Sequence, residues 1–114
     1  MELAPFGIRS NAVAPGAIPT PIVAKAFGVP PEHAVPFITL IEKRLGERQA
    51  MGRFGSAEDI AKVALFLASD LSSYVSGVLI PVEAGATIQA DSRLNSDVLA
   101  VAKEFLATLA RGST

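Results

Sequence analysis

Two short apolar runs, each ending at strong chain breakers and separated by a long stretch of loop and helix, constrain this chain more than any other feature. The first, Ile8-Arg9-Ser10-Asn11-Ala12-Val13-Ala14, stops at Pro15-Gly16. The second, Val78-Leu79-Ile80-Pro81-Val82, follows a polar connection from Ser69 to Gly77. Short runs bounded in this way read as strands. A tight turn can join antiparallel strands, whereas parallel strands need a long crossover, usually helical. The helical pattern between residues 15 and 77 therefore implies a parallel βαβ unit with only two strands. Parallel sheets need both faces covered. Pro81 cannot donate to a ladder, which places the second strand at or near a sheet edge.

The crossover opens with a loop rich in Pro15, Gly16, Pro19, Pro21, Gly28, Pro30 and Pro31, with a helical turn at 21–27. Glu32 to Arg48 reads as a helix with Phe37, Leu40, Ile41, Arg44 and Leu45 along one stripe. Pro31 and Pro36 fit only its edge or first turn. After the loop Gly52-Arg53-Phe54-Gly55, Ser56 is an N-cap candidate, and Glu58 and Asp59 fall in the first turn, where the helix dipole favours carboxylates. Capping charge, rather than an acid/base or metal pair, is the reading for those two. Ile60, Val63, Ala64 and Leu67 follow at helical spacing. Leu65, Phe66 and Ala68 extend the apolar surface around most of the circumference, so this helix is expected to be covered on more than one side. In the tail, Asn95-Ser96-Asp97 caps a helix with Val98, Ala102, Phe105, Leu106 and Leu109 on one face and Gly112 as its stop.

Composition enters at this point. With 114 residues the chain holds one domain at most. Half of its residues are apolar and 18% are charged, below the roughly 25% of an ordinary soluble domain. Part of that apolar surface is expected to lie against something outside the chain. A net charge of −1 with no basic stripe argues against nucleic-acid binding. The absence of cysteine excludes disulfides, zinc–thiolate clusters and thiol catalysis. The single histidine, His33, cannot build a histidine metal site alone and reads as a solvated helix-start residue. No apolar run approaches the roughly 18 residues of a membrane span, and Met1-Glu2-Leu3-Ala4-Pro5 is no signal peptide. The expectation is a soluble, cytoplasmic protein with no metal, no nucleic-acid partner and no membrane contact.

Three segments then carry a resemblance. Gly7-Ile8-Arg9-Ser10-Asn11-Ala12-Val13-Ala14-Pro15-Gly16-Ala17-Ile18-Pro19-Thr20-Pro21 resembles the sixth strand and following loop of the short-chain dehydrogenases/reductases. Arg53-Phe54-Gly55-Ser56-Ala57-Glu58-Asp59-Ile60-Ala61 resembles the start of that family's penultimate core helix. Phe66 to Gly77 resembles the segment leading into its seventh strand, and Val82-Glu83-Ala84-Gly85 stands where the family usually has Val-Asp-Gly-Gly. The resemblance implies an α/β fold, the C-terminal part of a Rossmann-like doubly wound parallel sheet, over 1–88, followed by a tail with an amphipathic helix over 89–114. It implies NAD or NADP as cofactor and a small-molecule alcohol or carbonyl as substrate of the parent enzyme. Backbone groups around Ala17 and Ile18 would hold the nicotinamide carboxamide. Thr20 would meet that amide or a nearby phosphate, and Pro15-Gly16 would end the strand and let backbone approach a flat ring. The tail helix is expected to fold back over the sheet, with dimerisation as the alternative.

The family's chemistry rests on a Tyr-x-x-x-Lys pair, in which tyrosine moves the proton and lysine lowers its pKa. Here Tyr74 is followed four residues later by Val78. Pro21, Thr39, Glu58 and Leu99 stand four residues before Lys25, Lys43, Lys62 and Lys103. The nine glycines contain neither a G-x-x-x-G-x-G nor a G-x-G-x-x-G spacing. No catalytic residue is therefore assigned within the chain. Two outcomes are expected: an oxidoreductase portion inactive alone, or a non-catalytic module that self-associates or pairs with a homologous subunit. Substrate identity and the choice between NAD and NADP are not legible from these residues.

Overall fold

A computed structural model of the chain describes residues 2–88 and 93–112. In chain order the elements are β1 (Ala12–Pro15), α1 (Pro21–Ala26), α2 (Ala34–Leu45), α3 (Ala57–Ala68), β2 (Leu79–Val82) and α4 (Leu94–Gly112), joined by short 3-10 turns. The strands pair in parallel, with Ala12 opposite Leu79, Val13 opposite Ile80, Ala14 opposite Pro81 and Pro15 opposite Val82. The two-stranded parallel sheet with a helical crossover is the expected architecture.

The first strand is shorter than its apolar run because the residues before it bond elsewhere. The Asn11 carboxamide donates to Val75 O at 3.0 Å and accepts from Val78 N at 3.2 Å. Ser10 N donates to Ser76 Oγ, and Gly77 N to Ser10 O at 2.7 Å. Arg9 reaches past them, donating to Leu67 O at 2.7 Å, Val75 O at 3.1 Å and Ser69 O at 3.4 Å. Side chains that bond nearby backbone compete with ladder pairing. Arg9-Ser10-Asn11 thus fastens the entry of β1 to the connection that leaves α3.

The predicted helix over 32–48 divides into a 3-10 turn at Pro31–His33, then α2, then a second 3-10 turn at Gly46–Arg48. Pro36 lies in the first turn of α2, where its missing N–H costs nothing. The core is built from this region. Ala24, Val29, Ala34, Phe37, Ile41, Leu45, Phe54, Val98, Val101 and Ala102 are its buried apolar residues, and none belongs to β1, β2 or α3.

Two expectations fail on this point. The tail helix does not cover the sheet: α4 packs on α2, with Phe105 against Phe37 at a centroid distance of 5.5 Å. Arg44 pairs with Glu104, and Arg48 with Asp97 at 3.0 Å. The apolar faces of α2 and α4 are complementary, and their polar edges carry opposite charges, so α4 closes on α2 instead. The helix also begins at Leu94, upstream of the predicted cap. Ser96 Oγ donates back to Arg93 O at 2.7 Å rather than capping a first turn. Helix α3, expected to be covered on several sides, has no buried residue, because the two strands and a 3-10 turn are its only neighbouring elements among the described residues. Leu65 is 69% exposed and Leu79 64%. No described helix is long and apolar enough to cross a membrane.

The shape follows. The radius of gyration is 18.1 Å, against roughly 13 Å for a compact domain of this length. The accessible surface is 8164 Å², against about 5,900 Å² for a compact monomer of this mass.

Candidate functional site

In open parallel sheets, ligands collect beyond the carboxyl ends of the strands. Here the chain leaves β1 through Gly16-Ala17-Ile18 and leaves β2 through Glu83-Ala84-Gly85. The two exits are held together tightly. Gly16 N donates to Val82 O at 3.0 Å. A Cβ on Gly16 would stand 2.5 Å from Glu83 Cβ and 2.7 Å from Glu83 Cα. Glycine at this position is therefore demanded by the neighbouring strand exit.

After Glu83 the backbone turns through the left-handed region at Ala84 (φ 54°) and Gly85 (φ 79°). Glycine enters that region freely, and alanine enters it under strain. The Glu83 carboxylate stabilises the turn that follows, accepting from Thr87 N at 2.6 Å and Thr87 Oγ1 at 3.0 Å.

The third wall comes from Arg53-Phe54-Gly55. Gly55 lies directly against the tip of Ile18, which joins this loop to the β1 exit. Arg53 donates in a fork to the two Asp59 oxygens at 2.7 and 3.0 Å, and to Phe54 O at 2.9 Å. Asp59 also accepts from Ser56 N at 2.8 Å, while its own N–H donates to Ser56 Oγ at 3.2 Å. Ser56 and Asp59 thus form a reciprocal capping box at the start of α3. The Arg53 and Ser56 hydrogen bonds hold the Asp59 carboxyl well below the usual carboxylate range, and Asp59 raises the guanidinium in return. Asp59 is thus a fixed anion, unsuited to moving protons near neutral pH.

Between these walls lies a cavity of about 270 Å³, lined by Ala17, Ile18, Gln49, Phe54, Val82 and Ala84 among others. Of the five residues expected to hold cofactor, Ala17 and Ile18 line it, whereas Pro15, Gly16 and Thr20 do not. Pro15 ends the ladder opposite Val82. Thr20 is the N-cap residue of α1 but makes no side-chain cap bond. Among the described residues, neither Ala17 nor Ile18 gives or accepts a backbone hydrogen bond, although both are half-buried. His33 is not the solvated residue expected: it is half-buried, edge-on to Phe105 at 6.5 Å.

Three contributions escaped the sequence reading: the Arg53 clamp on Asp59, the Glu83 turn, and the Arg9–Asn11 fastening. The first had a signal, an arginine three residues before the N-cap Ser56 of a helix carrying an aspartate in its first turn. The other two join residues through backbone carbonyls and a local turn, which spacing alone does not reveal.

The family model described as enoyl-(acyl carrier protein) reductase matches residues 1–87. The 3-oxoacyl-(acyl-carrier-protein) reductase FabG of Thermotoga maritima is 46% identical over 87 residues, covering 76% of this chain and 31% of that protein. The 3beta-hydroxysteroid dehydrogenase 1 of Eggerthella lenta is 42% identical over 88 residues, covering 77% and 30%. The chain therefore spans about a third of the length of the curated relatives it matches. Among solved structures, levodione reductase superposes with a TM-score of 0.57 at 36% identity, over 76% of this chain and 33% of that one. A protein from Agrobacterium tumefaciens solved with bound NADP gives 0.54 at 36% identity, over 77% and 32%.

Proposed function

The chain belongs to the short-chain dehydrogenase/reductase family, and on that premise we propose that it corresponds to the C-terminal part of an NAD(P)-dependent alcohol/carbonyl oxidoreductase that transfers no hydride alone. The observation that carries the cofactor reading is the unpaired backbone at Ala17 and Ile18. Backbone amide and carbonyl groups that make no bond within the chain are open to an outside partner. A carboxamide offers both donors and an acceptor, so it complements them. The Thr20 hydroxyl, unused as a cap, supplies a further polar contact two residues on.

When bound, a nicotinamide supplies or accepts the hydride. This chain's own residues would orient it: Ala17 and Ile18 through backbone, Thr20 through its hydroxyl, with Gly16 locked on Glu83 to fix the loop. The accompanying proton has no carrier here. Tyr74 is fully exposed and has no lysine four residues on, so it lacks the partner that the family's proton-transfer tyrosine works with. Purified chain, supplied with NAD or NADP and a series of secondary alcohols and ketones, is expected to show no change in nicotinamide absorbance above the enzyme-free rate. Turnover that Tyr74→Phe abolishes would overturn this reading.

A second reading is favoured by the surface excess and by the uncovered apolar side chains on β2 and α3. It makes the chain a non-catalytic module that self-associates or pairs with a homologous subunit through that face. Sedimentation that finds only monomer, together with no retention of a full-length homologue, would overturn it.

A further inference from the structure

We infer that α4 is a strap that holds one wall of the cavity in place, with Asp97 as a positioning residue acting through Arg48. The inference rests on the proposed function only in taking that cavity as the working site of the parent enzyme. Helix α4 begins at Leu94, whereas the family model matches residues 1–87, so the strap lies outside the matched portion. Among the described elements α2 is its only neighbour. Whatever α4 does to the site, it does through α2 and the loop that follows.

That loop starts where α2 ends. Arg48 closes the 3-10 turn Gly46–Arg48, and beyond it Gln49, Met51, Arg53 and Phe54 all line the cavity. Two sets of contacts grip it. From the sheet region, Asp59 holds Arg53 in a fork and Ile18 lies against Gly55. From the helical region, Asp97 pairs with Arg48 at 3.0 Å, and Phe54 is buried in the same apolar cluster as Val98, Val101 and Ala102. The loop's own backbone bonds are few: Gln49 N donates to Gly46 O at 2.9 Å, and Gly52 N to Gln49 O at 2.8 Å. A segment with so few bonds of its own takes its position from what grips it. Asp97 is the fixed member of its pair. Its side chain is 28% exposed against 54% for Arg48, and it stands in the first turn of α4, where the helix dipole favours a carboxylate. Phe105, about 12 Å further along α4, packs on Phe37 and sets where the helix lies on α2. Loosening that distant contact is therefore felt at the loop.

Amide exchange and methyl NMR on the complete 114-residue chain test this. Asp97→Asn and Arg48→Gln should each lower the protection of the Gln49 and Gly52 amides about twofold to fivefold, the range of one partly exposed ion pair. The double variant should lose no more than the weaker single, because both substitutions remove the same pair. Phe105→Ala should lower protection at the same two amides by at least about fivefold. The Ile18 δ1 methyl, which meets the loop at Gly55, should shift in all of these variants. Gly16 and Gly77, whose amides bond to Val82 O and Ser10 O in the sheet region, should keep their protection. Unchanged Gln49 and Gly52 in Phe105→Ala would confine the effect to a local ion pair and overturn the strap. So would an unmoved Ile18 methyl, or equal losses at Gly16 and Gly77, which would mean unfolding of the whole chain. Titration of the wild-type chain with NAD and NADP keeps the two readings apart. Absence of nicotinamide binding would count against the cofactor reading and leave the exchange results to decide the strap.

Discussion

The region built from α1, α2 and α4 and the region built from β1, β2 and α3 are held together by different forces. In the first, ten apolar side chains with Phe54 among them are buried in a common cluster, and Phe37 is fully enclosed. In the second, Ser72 is the only buried residue, while Leu65 and Leu79 are largely exposed. What joins that second region is polar: a four-residue parallel ladder, the Arg9–Asn11 fastening and the Ser56–Asp59 capping box. Hydrophobic burial of an aliphatic or aromatic side chain contributes about 1.5–3 kcal/mol, whereas a net hydrogen bond contributes about 1 kcal/mol. The helical region is therefore energetically closed. The sheet region carries apolar surface whose stabilising value is realised only against a further surface.

The largest expected effect separates these two regimes directly. Phe37→Ala should cost roughly 3–5 kcal/mol, the loss expected for a fully buried ring plus the cavity it leaves. Leu65→Ala should change stability by less than about 0.5 kcal/mol, since alanine favours helix and little burial is lost. Urea unfolding with matched slopes measures both. A loss above about 2 kcal/mol at Leu65 would show that this face of α3 is buried in solution, and the comparison would give way to the association reading.

The two regions also differ in how far the sequence discloses them. The boundaries of α3 are as the pattern predicts, because Ser56 and Asp59 mark the start and Ser69 breaks the apolar spacing. The parallel pairing of β1 and β2 follows from the length of the crossover. The docking of α4 was not legible: a helical stripe states that a face will be buried, not which surface buries it. The sheet was the larger apolar target, yet Phe105 found Phe37, and Arg44 and Arg48 found acidic partners on α4. At the site, Pro15-Gly16 marked the strand end correctly, but the reason for Gly16 lies in Glu83, distant in sequence. Only the fold brings the two within a Cβ of each other.

A smaller effect sharpens the polar side of the comparison. Arg9→Met keeps most of the side-chain length and removes the guanidinium that reaches Leu67 O, Val75 O and Ser69 O. Hydrogen bonds from charged donors contribute about 1.5–3 kcal/mol. All three carbonyls keep a second donor, from Ser72 or Asn11, so a total cost of about 2 kcal/mol is expected. The loss should stay in the sheet region. Amide exchange should quicken at Gly77 and Val78, which bond to Ser10 and Asn11, and should stay unchanged along α2. Equal acceleration in both regions would mean that they unfold as one unit.

The smallest effect turns on sign rather than size. Ala84 occupies the left-handed region (φ 54°) at the position where the resembling family usually carries glycine. An L-residue with a Cβ pays about 1–2 kcal/mol there, and glycine loses roughly 0.5–1 kcal/mol more entropy than alanine on folding. Ala84→Gly should therefore stabilise the chain by about 0.5 kcal/mol, the difference between those two terms. The same substitution at exposed Ala64, in the interior of α3, has no strain to relieve and should cost about 1 kcal/mol through helix propensity alone. Thermal unfolding of the two variants side by side tests the pair. A stabilised Ala84→Gly with a destabilised Ala64→Gly would show that the Glu83-Ala84-Gly85 turn stores strain at the mouth of the cavity. Two losses would mean that the Thr87–Glu83 bonds already hold this turn with no strain left to release.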